Sequence, residues 1–285
     1  MAEANSSAKT DYDERFFNAS DGLRLYYRRW AAAEPKGIIG LVHGFAEHSG
    51  RYDELALDLV GGGYTVAAFD YRGHGQSGGR RAHIDAFDEY MDDLKSFLVE
   101  MEREGLAHKP ILLGHSQGGL LVARLAELVP EVAKALVLSS PFFGLAMKVP
   151  AVKLALAKAV SMLIPTLSMP SGVDSAWLSH DRAVVERYAA DPLVSQVATA
   201  RWFTETVKAQ ASTLADAGKI KLPTVVLQAG DDKLASLDAT RKFFSALGSE
   251  DKQLEIYSEY FHEIFNEVGR DKVVADLLAW LEAHA

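Results

Sequence analysis

The chain contains no cysteine among its 285 residues. Disulfide bridges and cysteine-ligated metal or redox centres are therefore excluded, and the redox state of the compartment is left open. Basic residues are also in the minority, since 30 Lys and Arg stand against 39 Asp and Glu and give a net charge of −9. Binding to nucleic acid needs a basic face, so this charge balance argues against a nucleic-acid partner.

Long apolar runs are missing as well. The most apolar long segment, residues 149–165, carries Lys153 and Lys158, and only 14 residues lie between its two prolines. That length is too short to span a bilayer. Residues 1–14 have neither the basic nor the apolar region of a signal peptide, and we interpret them as a flexible leader. We expect a cytoplasmic protein.

Apolar segments of strand length recur along the chain, with helical-period segments between the later ones. The predicted strands are 24–30, 37–42, 64–69, 110–113, 135–139, 224–228 and 253–257, and the predicted helices are 53–60, 86–104, 118–129, 237–247 and 272–283. Several strands are continuously apolar, which indicates burial on both faces of a sheet. Alternation of such strands with helices predicts an α/β fold with a mainly parallel, doubly wound sheet.

One region interrupts this alternation. Residues 142–200 contain no strand-like segment and have a helical pattern broken by Pro and Ser. We interpret them as a helical cap inserted between the core segments 15–141 and 201–285. Open α/β sheets bind ligands at the carboxyl ends of their strands, and the cap is expected to cover that edge.

The segment PILLGHSQGGLLV, residues 110–122, contains the pattern G-x-S-x-G around Ser116. An apolar strand precedes the pattern and a helical segment follows it, which is the context of a nucleophile elbow. The turn is sharp enough to strain the serine backbone, and the flanking glycines relieve the crowding. Ser116 is therefore the predicted nucleophile.

A serine hydroxyl needs a base that is itself oriented by a third group. In chains with a nucleophile elbow the acid follows the serine and the histidine follows the acid. Three histidines come after the serine. His284 is the penultimate residue and His180 lies in the cap, whereas His262 follows the last predicted strand. His262 is the predicted base.

The acid is expected where the strand TVVLQ ends in AGDDKLAS. Asp231 and Asp232 both lie in this loop, and a turn-forming pair is the alternative interpretation. Spacing alone does not choose between the two carboxylates.

With these residues assembled, the chain resembles the monoacylglycerol lipase and lysophospholipase group of α/β-hydrolases, of the serine aminopeptidase type. The resemblance extends from about Phe16 to the C-terminus and is weak through the cap. It rests on HGFAEHSGRY (43–52), FDYRGHGQSGGRR (69–81), GHSQGG (114–119), SSP (139–141), DPLV (191–194), QAGDDKL (228–234) and HEIFNE (262–267). It implies an α/β-hydrolase fold and ester hydrolysis without a cofactor or metal.

The resemblance also assigns individual residues. The family's acid precedes a basic residue, which implies Asp232 before Lys233. The oxyanion hole would use the backbone N–H groups of Phe45 and Gln117, which meet developing negative charge without reorganising. Both side chains differ from the residues common in the family, and we expect them to narrow or repolarise the pocket.

Three further residues are implied as contacts to the polar headgroup of a monoglyceride. They are Arg51, Tyr188 and Glu47, with a surface ion pair as the alternative for Arg51 and simple packing as the alternative for Tyr188. The apolar cap helix is expected to be a lid that lines an acyl pocket. Transient contact with a micelle or membrane surface stays open, and no oligomeric state is predicted.

The sequence therefore predicts a serine carboxylic-ester hydrolase for monoacylglycerols or related single-chain lipid esters. One alternative keeps the triad and makes the chain a lysophospholipase or general carboxylesterase. Another makes it an aminopeptidase, which would need carboxylates to hold a free amino group. The last is a non-catalytic, ligand-binding relative of the hydrolases.

Overall fold

The computed structural model describes residues 11–106, 109–147 and 149–284. The strands within these ranges are β1 (Asp11–Asn18), β2 (Arg24–Ala31), β3 (Gly37–Val42), β4 (Tyr64–Asp70), β5 (Ile111–His115), β6 (Ala135–Ser139), β7 (Ser168–Pro170), β8 (Val197–Thr199), β9 (Thr224–Ala229) and β10 (Lys252–Tyr257). The helices are α1 (Asp53–Gly61), α2 (Asp88–Arg103), α3 (Gln117–Leu128), α4 (Ala151–Leu163), α5 (Arg182–Ala190), α6 (Ala200–Asp216), α7 (Leu237–Ala246) and α8 (Arg270–His284).

Eight strands form the main sheet in the order β1-β2-β4-β3-β5-β6-β9-β10. The pairs β1–β2 and β2–β4 are antiparallel, and every pairing from β4 to β10 is parallel. Each residue of β4, β5, β6 and β9 is buried, as their continuous apolar sequences predict. The predicted doubly wound, mainly parallel sheet is confirmed.

Helices cover both faces of this sheet. One core cluster packs strand side chains against α2, α3, α6 and α7, with Phe97, Leu120 and Phe243 among its members. The other packs the opposite strand faces against α1 and α8, through Leu59 and Leu277. Because both faces are covered, polar groups can gather only at the ends of the strands.

The strand β1 corrects the predicted leader. Residues 11–14 were assigned to a flexible segment, but they begin an eight-residue strand that pairs with β2 along its whole length. Phe17 supplies the buried anchor of this strand at 7% exposure. Residues 1–10, the rest of the predicted leader, lie outside the described residues.

The sequence predicts a purely helical segment over residues 142–200, and this prediction is wrong. The segment contains α4 and α5, but β7 and β8 also pair in a small antiparallel sheet. The β8 strand leads directly into α6, which begins at Ala200. The exact bounds of the cap stay a prediction.

The cap is tied to the loop that follows β3. The Ser195 amide donates to the Ala46 carbonyl at 2.7 Å, and His48 Nε2 lies 2.9 Å from Asp191 Oδ2. The rings of Phe45 and Trp202 stack at 3.8 Å. Hydrogen bonding, charge and stacking therefore join this loop to residues 191–202.

Helix α4 lies on the outside of the cap. It packs on α6, where the Ser161 hydroxyl lies 2.8 Å from that of Thr204, and Ser161 is its one buried residue. Large apolar side chains on α4 and just after it are exposed, namely Val152, Leu156, Met162, Leu163, Ile164, Leu167 and Met169. No helix in the described ranges is both long enough and apolar enough to cross a membrane.

Candidate active site

The strand β5 ends in a sharp turn that carries Ser116. This residue has φ 53° and ψ −117°, a conformation that a non-glycine residue adopts only under constraint. Its amide donates to the Ser139 carbonyl at 2.9 Å, and its carbonyl accepts from the Phe142 amide at 2.9 Å. The strained backbone is thus held by β6 and the segment that follows it.

The flanking glycines are required by the same turn. A Cβ on Gly114 would overlap the Gly118 carbonyl, and a Cβ on Gly118 would overlap the Val42 carbonyl at the end of β3. The predicted steric role of these two glycines is confirmed. Because no side chain intervenes, α3 starts directly behind the serine.

His262 lies in the loop between β10 and α8 and is 4% exposed. Its Nδ1 lies 2.8 Å from Asp232 Oδ2. The Asp232 carboxylate is fully buried, and its Oδ1 accepts from the amides of Leu234 and Ala235 at 2.8 Å each. These two amides hold the carboxylate in the orientation in which Oδ2 contacts His262.

The other candidates from the sequence lie elsewhere. Asp231 points outward and pairs with Lys233. His180 is about half exposed and pairs with Glu267, and His284 lies 3.0 Å from Asp251. Of the two aspartates that spacing left open, only Asp232 contacts His262.

The electrostatics around His262 favour its protonated form. Burial opposes protonation, but the Asp232 charge and the hydrogen bond between the two groups outweigh burial and raise the pKa of His262. The ring of His115 lies 4.8 Å from that of His262, but its pKa is shifted in the opposite direction. Burial lowers the pKa of His115 to about 3, so this ring is neutral near pH 7.

Ser116 and His262 open into one cavity between the sheet edge and the cap. The space between its walls is about 830 Å³, including its open mouth. Apolar or weakly polar side chains form much of the cavity wall, namely Phe45, Phe142, Leu145, Val173, Leu178, Trp202, Phe203, Thr206, Val207 and Leu234. No residue of α4 lies on the wall, so the expectation that this helix lines the pocket is wrong for this structure.

The predicted oxyanion amides belong to Phe45, after β3, and Gln117, the first residue of α3. Within the described ranges neither amide N–H has a hydrogen-bond acceptor. The Phe45 ring lines the cavity, as predicted. The Gln117 side chain does not, because it is fully buried behind the turn, and the expectation that it repolarises the pocket is wrong.

The predicted headgroup residues form a buried ionic cluster that contributes to the cavity wall. Arg51 donates to Glu47 Oε2 at 2.5 Å and to both carboxylate oxygens of Glu263 at 2.6 and 2.8 Å. Its guanidinium also lies over the Tyr188 ring, 4.7 Å from the ring centre. Glu47, Glu263 and Tyr188 line the cavity, whereas Arg51 lies behind them on the wall of a separate polar hollow.

Glu263 is the functional candidate that sequence reasoning missed. Its position directly after His262 was the available signal, but nothing in the sequence indicated that it faces Arg51, 212 residues away. Burial opposes its ionisation, yet the Arg51 charge and hydrogen bonds lower the pKa of Glu263 to about 2. The carboxylate is therefore ionised near pH 7. The interpretation of Arg51 as a surface ion pair is wrong, because its side chain is only 10% exposed.

Comparison with known proteins adds to this geometry. The family model described as serine aminopeptidase, S33, matches residues 33–269. The monoacylglycerol lipase of Mycolicibacterium smegmatis is 31% identical over 95% of this chain and 97% of its own length. Phospholipase YtpA of Bacillus subtilis is 32% identical over 86% and 94%, respectively.

A solved structure is similar over the same extent. The monoacylglycerol lipase of Paleococcus ferrophilus superposes with a TM-score of 0.84 and 34% identity, over 92% of this chain and 99% of that one. The chain therefore has the α/β-hydrolase fold and belongs to the serine aminopeptidase S33 family of hydrolases.

Proposed function

We propose that the protein is a serine esterase that cleaves monoacylglycerols. The observation that carries the proposal is a single cavity that holds Ser116 and the Asp232-oriented His262 and is lined both by apolar side chains and by members of a buried ionic cluster. A single-chain lipid ester offers both kinds of group, since an acyl chain and a small polar alcohol are joined at its scissile bond. The relatives named as monoacylglycerol lipases support this assignment.

The first half of the reaction forms an acyl-enzyme. Ser116 Oγ attacks the ester carbonyl as His262 Nε2 takes its proton, and the carbonyl π electrons move to the oxygen. The amides of Phe45 and Gln117 stabilise that oxyanion. Asp232 holds the Nδ1–H tautomer and stabilises the imidazolium. As the intermediate collapses, the ester C–O bond breaks and His262 returns the proton to the departing glycerol oxygen.

The second half regenerates the serine. Water takes the place of glycerol, and His262 removes one of its protons as the water oxygen bonds to the acyl carbon. Collapse of this second intermediate breaks the bond to Ser116, and the proton on His262 passes to Oγ. A fatty acid leaves, and no cofactor takes part in either half.

The lining residues suggest an orientation for the substrate. The acyl chain would lie along Trp202, Phe203 and Val207 of α6, where apolar burial stabilises it. The glycerol hydroxyls would lie against Glu47, Glu263 and Tyr188. Arg51 then acts indirectly, because it orients both carboxylates from behind the wall and lowers the pKa of Glu263.

An aminopeptidase is a weaker candidate on this geometry. Two carboxylates do face the cavity, as binding of an amino group requires. However, Glu47 accepts from Arg51, Tyr52 and the Gly44 amide, and Glu263 accepts from Arg51 and Asn266. Three of the roughly four acceptor positions on each carboxylate are therefore occupied, which leaves room for a single hydroxyl donor on each but too few acceptors for the three N–H groups of an ammonium. A phospholipase activity is favoured by the Bacillus subtilis relative, and it shares the same acyl-enzyme chemistry.

The deciding experiment is a substrate series with matched chemistry. Rates are measured on 1-monoacylglycerols of increasing chain length, the corresponding p-nitrophenyl esters, a lysophosphatidylcholine and a prolyl arylamide. We expect kcat/KM to be highest for a monoacylglycerol and Ser116→Ala to lower kcat by roughly 10⁶-fold. Faster hydrolysis of the arylamide would instead indicate an aminopeptidase, and faster hydrolysis of the lysophospholipid would indicate a lysophospholipase.

A label on the nucleophile separates the enzyme from a binding protein. A fluorophosphonate probe should modify Ser116 in the folded wild-type chain and leave Ser116→Ala unmodified, as read from the labelled peptide. Folded protein that is not labelled and hydrolyses no ester would favour the non-catalytic alternative.

The exposed apolar residues of α4 and its C-terminal extension are proposed to contact the lipid surface that holds the substrate. The helix has no acidic residue, and Lys153 and Lys158 are exposed. The apolar strip continues through Met169 to Ser171 and Gly172, which lie on the cavity wall. An apolar surface with cationic neighbours binds the interface of an anionic bilayer.

A cytoplasmic location is proposed together with this activity. Immunoblots of fractionated source cells check it. Recovery of the chain chiefly outside the cell would contradict it.

A further inference from the structure

The peptide bond between Gly44 and Phe45 is held from its carbonyl side. Tyr71 donates its hydroxyl to the Gly44 carbonyl oxygen at 2.7 Å. His43 Nδ1 lies 2.8 Å from the same oxygen. The two rings stack on each other at 4.1 Å with an 11° angle between their planes, and both residues are fully buried.

The protonation states of both donors are fixed by burial. Burial raises the pKa of Tyr71 well above its usual range, so the hydroxyl keeps its proton. Burial lowers the pKa of His43 to about 3, so the ring is neutral near pH 7 and has one N–H. Because a carbonyl oxygen only accepts, that proton lies on Nδ1.

Because a peptide unit is planar, fixing the Gly44 carbonyl also fixes the direction of the Phe45 N–H. The described chain contains no cis peptide, so the Phe45 N–H points away from the Gly44 carbonyl. Tyr71 and His43 lie inside the core and are not on the cavity wall, whereas Gly44, Phe45 and Ser116 are. A Cβ built on Gly44 would lie 3.2 Å from Ser116 Cβ, which places this peptide beside the nucleophile. The Phe45 N–H therefore lies on the side of the peptide opposite Tyr71 and His43, in a segment that lines the same cavity as Ser116.

We propose that Tyr71 is a positioning residue that, together with His43, orients and polarises the Gly44–Phe45 peptide as an oxyanion donor. This proposal rests on the proposed esterase function. Hydrogen bonds to a carbonyl strengthen the donor on the same peptide, because chains of hydrogen bonds polarise one another. The Gly44 amide is also fixed, since it donates to Glu47 Oε1 at 2.6 Å.

The test is Tyr71→Phe, with Tyr27→Phe as the matched control. Tyr27 is also fully buried and its hydroxyl donates to Glu104, whereas the donors to the Gly44 carbonyl are Tyr71 and His43. On a soluble p-nitrophenyl ester we expect Y71F to lower kcat about tenfold, less than deletion of an oxyanion donor, with KM little changed. Y27F should keep kcat within about twofold of wild type.

Inhibitor binding separates positioning from general damage. A trifluoromethyl ketone forms an oxyanion on Ser116, and its Ki should rise in Y71F by the same factor as kcat falls. A monoalkyl glycerol ether lacks the scissile carbonyl, and its affinity should be unchanged. Equal kcat in Y71F and Y27F, or equal loss of ketone and ether affinity in Y71F, would overturn the proposal.

A second measurement uses the wild-type chain and does not depend on the stability of Y71F. The Tyr71 hydroxyl proton should be protected from exchange, visible by NMR and shifted when the trifluoromethyl ketone binds. A hydroxyl signal that does not respond to the ketone would contradict the proposal. Absence of esterase activity in the wild type would instead refute the proposed function, so the two failures are distinguishable.

Discussion

Asp232 and His262 are joined by a contact of 2.8 Å between Oδ2 and Nδ1, while Asp231, the adjoining residue, turns to solvent. Two neighbouring carboxylates thus have unlike environments. One accepts two backbone amides and a histidine in a fully buried site, and the other pairs with a surface lysine. This contrast supplies a matched pair of variants.

Asp232→Asn should lower kcat by about 10⁴-fold, the loss seen when the acid of a Ser–His–Asp triad becomes an amide. Asp231→Asn removes an exposed charge and should leave kcat within about twofold of wild type. Initial rates on a p-nitrophenyl ester measure both. Similar losses in the two variants would mean that the loop, not the contact to His262, matters.

The pH dependence of the rate should reflect the raised pKa of His262. Only the neutral imidazole acts as a base, so kcat/KM falls as pH decreases through this pKa. The midpoint of the acid limb should lie above the ordinary histidine value of about 6.5. In Asp232→Asn burial is no longer opposed by the carboxylate, and the midpoint should move to lower pH. An unchanged midpoint would contradict the assignment of His262 as base.

Arg51→Met should destabilise the fold strongly at neutral pH, because it leaves Glu47 and Glu263 buried without their cation. Loss of one partner from a buried ion pair costs about 3–5 kcal/mol. Arg187→Met is the control, since Arg187 is exposed on the wall of the adjoining polar hollow. Thermal unfolding at pH 7 measures both.

The same pair of variants has a defined pH dependence. The folded pKa of Glu263, about 2, lies below its ordinary value of 4.5. Its contribution to stability is therefore complete above pH 4.5 and is lost as pH falls toward 2. The difference in melting temperature between wild type and Arg51→Met should shrink over that interval, and a constant difference would contradict the pairing.

Leu156→Ser combined with Met162→Ser should weaken binding to anionic vesicles by about tenfold or more, because two exposed apolar side chains no longer enter the interface. Hydrolysis of a water-soluble short-chain ester should not change. Leu57→Ser, on α1, is the control for an exposed leucine elsewhere. Vesicle co-sedimentation distinguishes them, and equal binding by all variants would contradict the assignment of α4 as the lipid-contacting surface.

The central strands and the helices between them were predictable, because their formation follows from the local apolar pattern and from burial. Strand β1 was not predictable, because half of the residues in DYDERFFN are charged. The strand gains its order from pairing with β2, where Arg15 lies over the Tyr27 ring. Helix α6 buries Trp202, Thr206, Gln210 and Thr213 at helical spacing. Three of these four residues are polar, so the sequence shows no apolar periodicity from which this helix could be predicted.

For the site, the G-x-S-x-G pattern predicted Ser116, chain order predicted His262, and family resemblance chose Asp232. Neither source could predict that Arg51 lies behind the wall between two carboxylates, because that arrangement depends on the return of the chain at Glu263. The positions of side chains around a cavity are set by tertiary packing. Such contacts are therefore learned from three-dimensional structure.

The ties between the cap and the loop after β3 bear on how this enzyme can evolve. Trp202 lines the cavity and also stacks on Phe45, whose amide is assigned to the oxyanion hole. Ser195 and Asp191 hold the same loop. Mutations that reshape the cap for a new acyl chain therefore also disturb the reaction centre. Changes in acyl-chain selectivity are therefore expected to change kcat as well. Replacing the cap with that of another protein would require compensating changes in residues 44–48.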